Sequence, residues 1–182
     1  SAGVARTICP PENKSESKSE NKLIQILLQK KQAWLKAREE ISRLEQENWE
    51  KRVRELYNQI KEWLTPLQEE ELLDFSEHSE AILNADGREE EKVITYFAIQ
   101  FFNDKTIEFE PVGLKVDNVY GRVDMKLDSQ KVMVVIKNKD SDWKLVRSTD
   151  PQKPPVYEEF DQKHFEQLVT EFVKHFDEKS VS

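Results

Sequence analysis

Histidine, cysteine and carboxylate side chains are where unassisted chemistry would begin, and this chain has few of the first two. His78, His164 and His175 are its three histidines, and Cys9 is its one cysteine. His164 and His175 stand eleven residues apart in a segment with helical spacing, about 16 Å along a helix axis. Ligands to one zinc ion lie about 2 Å from it, so these two do not share a metal. Glu77, His78 and Glu80 form an acidic–histidine cluster of a kind common on surfaces. No metal site and no cofactor is expected.

Asp124, followed by the run Val135-Ile136-Lys137-Asn138-Lys139, has a superficial likeness to the carboxylate-plus-lysine set of restriction-endonuclease-like nucleases. Such sites need a second carboxylate two residues before the lysine to hold a divalent cation. Val135 stands there for Lys137, and Lys137 for Lys139. Cys9 has no neighbouring histidine, and no G-x-S-x-G turn occurs. Gly3, Gly87, Gly113 and Gly121 are too far apart for a P-loop or a dinucleotide fingerprint. No catalytic residue is therefore assigned. The most distinctive stretch is Glu108–Leu127, in which Pro111, Gly113 and Gly121 predict an irregular excursion between two strands. Tyr120, Arg122 and Asp124 are its candidate ligand-binding residues, since such loops often carry function; the plainer reading is a sheet connection with a glycine-assisted bulge.

The elements that would position these residues follow from periodicity. Ser1–Asn21 holds Pro10-Pro11 and little to bury, which predicts a disordered tail. Lys22–Leu64 has no Gly or Pro and is dominated by good helix formers. Leu27, Trp34 and Ile41 recur every seven residues, and Trp49, Val53, Leu56, Ile60, Trp63 and Leu67 alternate steps of four and three. The step of five from Leu44 to Trp49, with no turn residue, predicts one helix whose apolar face rotates. Thr65-Pro66 predicts its end and the start of a short helix reaching about Asp74.

Strands are expected at Ser79–Asn84, Lys92–Phe102, Thr106–Pro111, Arg122–Leu127, Val132–Lys137 and Trp143–Arg147, with a turn signal at Asp86-Gly87. Their short connections imply an antiparallel meander. Lys92–Phe102 is apolar on both faces and is predicted to be central and covered on both sides. A proline-bearing linker over Ser148–Pro155 precedes a closing helix over Glu158–Phe176, whose Phe165, Leu168, Val169, Phe172, Val173 and Phe176 make one stripe. The fold class is α+β: a long N-terminal amphipathic helix of coiled-coil type, a short helix, a five- or six-stranded antiparallel sheet and a C-terminal helix on it. The expected organisation is a tail over 1–21, a helix over 22–64 and an α+β domain over 65–182.

Charge separates these parts. Lys22–Glu62 carries ten basic and seven acidic residues, whereas Trp63–Ser182 carries 15 and 26, within a net charge of −8. An acidic body repels phosphate backbones, and the basic residues of the arm are interleaved with glutamates as on a solvated helix face. Nucleic acid is thus a poor partner, although contact through the arm is a third possibility. No run approaches the roughly 18 apolar residues of a membrane span, and the first twenty residues lack a signal-peptide pattern. With one cysteine in a polar tail, a cytoplasmic location is expected.

A helix over Leu23–Leu64 has 42 residues and would be roughly 63 Å long. The 118 residues after it would make a body roughly 35 Å across. The apolar stripe is therefore expected to outrun what the chain can cover by itself, leaving Leu23, Leu27, Trp34, Ile41 and Leu44 for a protein partner, either a second copy or another chain. The leading expectation is a non-enzymatic, oligomeric or adaptor-type protein: an adaptor, an assembly subunit or an inhibitor such as an immunity protein. The alternative is an enzyme or small-molecule binder with its site around Pro111–Asp124.

Overall fold

The computed structural model describes residues 11–82, 92–147 and 150–176, with residues 11–20 described by backbone alone. Cys9 and the Asp86-Gly87 turn signal lie outside the described residues. The chain forms two compact units that divide between Glu45 and Gln46. Helix α1 (Pro11–Glu69) begins in the first and ends in the second. It starts within the stretch expected as a tail, of which residues 1–10 lie outside the described residues.

The break expected at Thr65-Pro66 does not occur, and there is no separate short helix: Pro66 sits inside α1. Proline removes one backbone donor to the preceding turn. The Thr65 hydroxyl donates to the Lys61 carbonyl at 2.7 Å. Leu64 is buried and Leu67 packs against the core, so tertiary burial carries the helix one turn past the proline. It then ends in a Schellman cap. Leu72 N–H donates to Leu67 O at 3.0 Å and Glu71 N–H to Gln68 O at 2.9 Å, with Glu71 in the left-handed region at φ 59°.

Seven strands follow among the described residues, one more than the largest number expected: β1 (Leu73–Ile82), β2 (Lys92–Phe101), β3 (Thr106–Val116), β4 (Val119–Leu127), β5 (Gln130–Ile136), β6 (Trp143–Val146) and β7 (Tyr157–Glu159). They form one antiparallel meander in sequence order. β1 opens at Leu73, where the short helix was expected. β7 occupies what had been read as the first turn of the closing helix. That helix, α2 (Gln162–Lys174), starts later, and Asp161 caps it by accepting from His164 N at 2.9 Å.

One sheet face is apolar. Phe97, Ile99, Ile107, Phe109, Val123, Met125, Val134 and Ile136 are buried on it, beneath Trp49, Val53, Leu56, Tyr57, Ile60 and Leu64 of α1 and Phe165, Leu168, Val169 and Phe172 of α2. β2 lies second from the edge and buries Phe97, Ile99 and Phe101, while alternating residues such as Gln100 are exposed. It is therefore covered on one face only, and the centre of the sheet is β4. There Trp49 packs directly on Gly121, where an added Cβ would come within 2.4 Å of the indole, and its ring centroid lies 5.8 Å from that of Trp143.

Polar groups fix the angle of the cover. Tyr57 Oη donates to Thr95 O at 2.7 Å, Arg52 to Ser141 O at 2.8 Å, and Val93 N to Glu50 Oε1 at 3.0 Å. Arg54 and Lys61 converge on Glu77 of β1, each at 2.6 Å. Partial burial would raise the Glu77 carboxyl, but hydrogen bonds from these two cations outweigh it and hold the group below its ordinary value.

Gly121→Ala should lower stability by about 1–3 kcal/mol, read as a shifted urea midpoint at unchanged slope; a midpoint equal to the parent's would refute the tight Trp49 contact. Glu77 is depressed on folding, so its contribution is present above the ordinary carboxylate pKa and is lost as pH falls through the folded value. Glu77→Gln should therefore be less stable than the parent at pH 7, with the gap closing below about pH 4. Parallel stability–pH curves would show that the carboxylate does not tie β1 to α1.

Candidate functional site

Two places carry the residues singled out in the sequence. The first is the early part of α1. Leu23, Leu27, Trp34, Ile41 and Leu44 are 51–65% exposed, and their spacing sets them along one side of the helix. The flanking polar groups are engaged with one another: the Arg38 guanidinium lies 5.2 Å from the centre of the Trp34 ring, and Arg43 is paired with Glu40. Ile24 and Leu28 are also about half exposed, which broadens the strip at its N-terminal end.

The second is the segment Pro111–Asp124, which is not an excursion. It is the hairpin of β3 and β4, closed by Asp117 and Asn118 with φ of 50° and 64°, the two positive values of a type I′ turn. Val116 pairs with Val119 across it. The register shifts between Pro111 and Gly113, where Gly113 adopts φ 131°, so the glycine-assisted bulge is present. The signal that would have revealed the hairpin was Asp117-Asn118 between two valines.

This geometry separates the three candidate residues. Tyr120 packs against the main core. Arg122 and Asp124 alternate with Val123 and Met125 and so project from the opposite face. Asp124 is 6% exposed. It receives Arg122 Nε at 2.7 Å and Nη2 at 3.1 Å, and Lys131 Nζ lies 3.6 Å away. Arg122 also reaches Asp117 in the turn. The hydrogen bonds it donates to Asp124 hold the guanidinium more firmly protonated than usual, against the opposing effect of burial. The arrangement is a bidentate ion pair bracing the turn against mid-sheet. Beside it Val119, Val135 and Val146 form a small second cluster with Met133 and Tyr157, and Lys137 Nζ lies 4.2 Å from the Tyr157 ring.

The same face holds a shallow groove of about 570 Å³ over β1–β4, which the sequence reading missed. Its floor is made by Ser76 and Ala98, cross-strand partners small enough to leave room. Its walls are already paired: Lys126 with Glu110 at 2.5 Å, and His78 with Glu80 at 3.1 Å. The signal was two small residues at facing positions, which only the register brings together. His164 bonds to Asp161 at 2.6 Å and His175 caps α2. No group of three potential metal ligands occurs among the described residues. No helix among them is long and apolar enough to cross a membrane.

No protein-family model, curated protein or solved structure matches this chain.

Asp124→Ala removes the bidentate partner of a mostly buried guanidinium, leaving it the exposed Asp117, and should cost about 3 kcal/mol of stability. The double change Arg122→Met with Asp124→Leu should recover most of that loss in urea unfolding. A double variant as unstable as the single would mean that the segment depends on something other than this pair.

Proposed function

We propose that this chain is a non-enzymatic protein-interaction module that engages its partner through the apolar strip Leu23, Leu27, Trp34, Ile41 and Leu44 of α1. One observation carries the reading: five large apolar side chains at helical spacing, each more than half exposed. Scattered surface apolar residues need no explanation, whereas a contiguous strip on one side of a helix is the pattern of an interaction surface. A helix gains most of its stability from packing an amphipathic face rather than from propensity, so a partner would also stabilise the element that presents the strip. The arrangement supports a helix-in-groove or coiled-coil mode. The paired state of Arg122, Asp124, Lys126 and Glu110 supports the same reading, because these groups are engaged with each other rather than set for acid–base work. The single cysteine, Cys9, and the high charge fit a reducing compartment such as the cytoplasm.

Replacing Leu27, Trp34 and Ile41 together by Glu should abolish co-purification of the partner from native cells, with Trp49, Trp63 and Trp143 reporting an unchanged fold by near-ultraviolet circular dichroism. Truncated interface anchors cost about 2 kcal/mol each, so even a single replacement should weaken binding more than tenfold. Retention of the same partner by the triple variant would overturn the proposal.

A further inference from the structure

On a seven-residue repeat Leu27, Trp34 and Ile41 hold the a positions, and Leu23, Lys30, Ala37 and Leu44 hold the d positions. The strip thus carries one charged and one small residue between large apolar ones, and this irregularity discriminates between ways of covering it. In a parallel, in-register pair of copies each layer meets itself. Lys30 would face Lys30, placing two ammonium groups in one apolar layer, and Trp34 would face Trp34 beside a void at Ala37. In an antiparallel pair a meets d. Centred between Trp34 and Ala37, the layers become Trp34 on Ala37, Ile41 on Lys30 and Leu27 on Leu44, each formed twice.

The largest side chain then meets the smallest, as close packing requires. Lys30 lays its stem along Ile41 of the second copy and keeps its ammonium group in water. The flanking charges do not decide the matter. Glu40 would approach Glu45 in the parallel pair and Lys31 would approach Arg38 in the antiparallel one, and exposed like charges of this kind cost little. The core layers decide the orientation, and their self-complementarity points to a second copy as the occupant. The seam ends where the five-residue step from Leu44 to Trp49 takes the apolar face out of phase.

We propose that two copies of this chain associate as an antiparallel two-helix coiled coil through Leu27–Leu44. This inference rests on the strip being a partner-binding surface and names the partner as a second copy.

Sedimentation equilibrium of the full chain between 1 and 100 µM, together with dipolar distances between spin labels, tests it. The labels are placed on the outward helix face at Gln25→Cys or Gln32→Cys in a Cys9→Ser background. The expected mass is twice the 21.5 kDa of one chain. The two Gln25 sites should lie roughly 31 Å apart along the axis and the two Gln32 sites roughly 10 Å, at 1.5 Å per residue about the Trp34–Ala37 centre. Equal distances at the two positions would mean a parallel pair and would overturn the inference while leaving the strip as the interface. A single-chain mass at 100 µM would overturn self-association and leave the interaction module to be judged by co-purification. A dimer that persists after Leu27, Trp34 and Ile41 are replaced by Glu would overturn both, because the copies would then meet elsewhere.

Discussion

Tyr57 carries its ring into the middle of the sheet's apolar face, against Phe97 and Phe109, and its hydroxyl to the carbonyl of Thr95. In that one residue the second half of α1 meets both demands of its position. An antiparallel sheet with one greasy face is stable only when something apolar covers it, and any polar atom carried into the cover must find a partner there. Burial pushes the Tyr57 phenol well above its ordinary range, which favours the protonated form that donates this bond. Arg52, Glu50, Arg54 and Lys61 repeat the device around the rim of the helix, where water can reach them. The apolar contact holds the cover down, and the polar ties at its margins set its direction.

The opposite face of the sheet solves a different problem. Among the described residues no helix of the core packs on it, yet Val135 and Val146 are buried there. Long charged side chains flank Val135: Arg122 is its cross-strand partner on one side and Lys144 on the other. A guanidinium lowered onto an apolar patch loses much of its water and needs a fixed anion. Asp124, one pleat along the same strand, supplies both oxygens. The pair therefore follows from covering a sheet with side chains rather than with a second layer, and it links that cover to the Asp117-Asn118 turn.

Much of this was legible from periodicity. The alternation of Arg122–Leu127 gave strand and inward face together, and the spacing Trp49–Val53–Leu56–Ile60 and Phe165–Leu168–Val169–Phe172 marked the two covering surfaces. The errors share one cause, which is local signals overruled at a distance. Proline at 66 is a helix breaker until Leu64 and Leu67 have a core to enter. Tyr157–Glu159 has no strand signal beyond its pairing with β6. Lys92–Phe101 looks apolar on both faces because aromatic and branched side chains also suit a half-exposed strand near an edge. At Pro111–Gly121, glycine and proline drew attention from the turn dipeptide that organises the segment. The exposed strip of α1 was the most legible candidate, since its spacing required no tertiary knowledge. The groove over β1–β4 was the least, since Ser76 and Ala98 become neighbours only through strand register.

Strand pairing here is entirely between sequence neighbours, but the cover is not. Trp49 belongs against Gly121 and Trp143, and α2 follows all seven strands. On a ribosome the hairpins can zip in order as they emerge, each closing a short loop at small entropic cost. The greasy side of that growing ribbon nevertheless waits for Phe165 and Phe172 before its shelter is complete. A sheet whose seven strands have all emerged therefore keeps apolar surface exposed until the thirteen-residue helix behind them has left the tunnel.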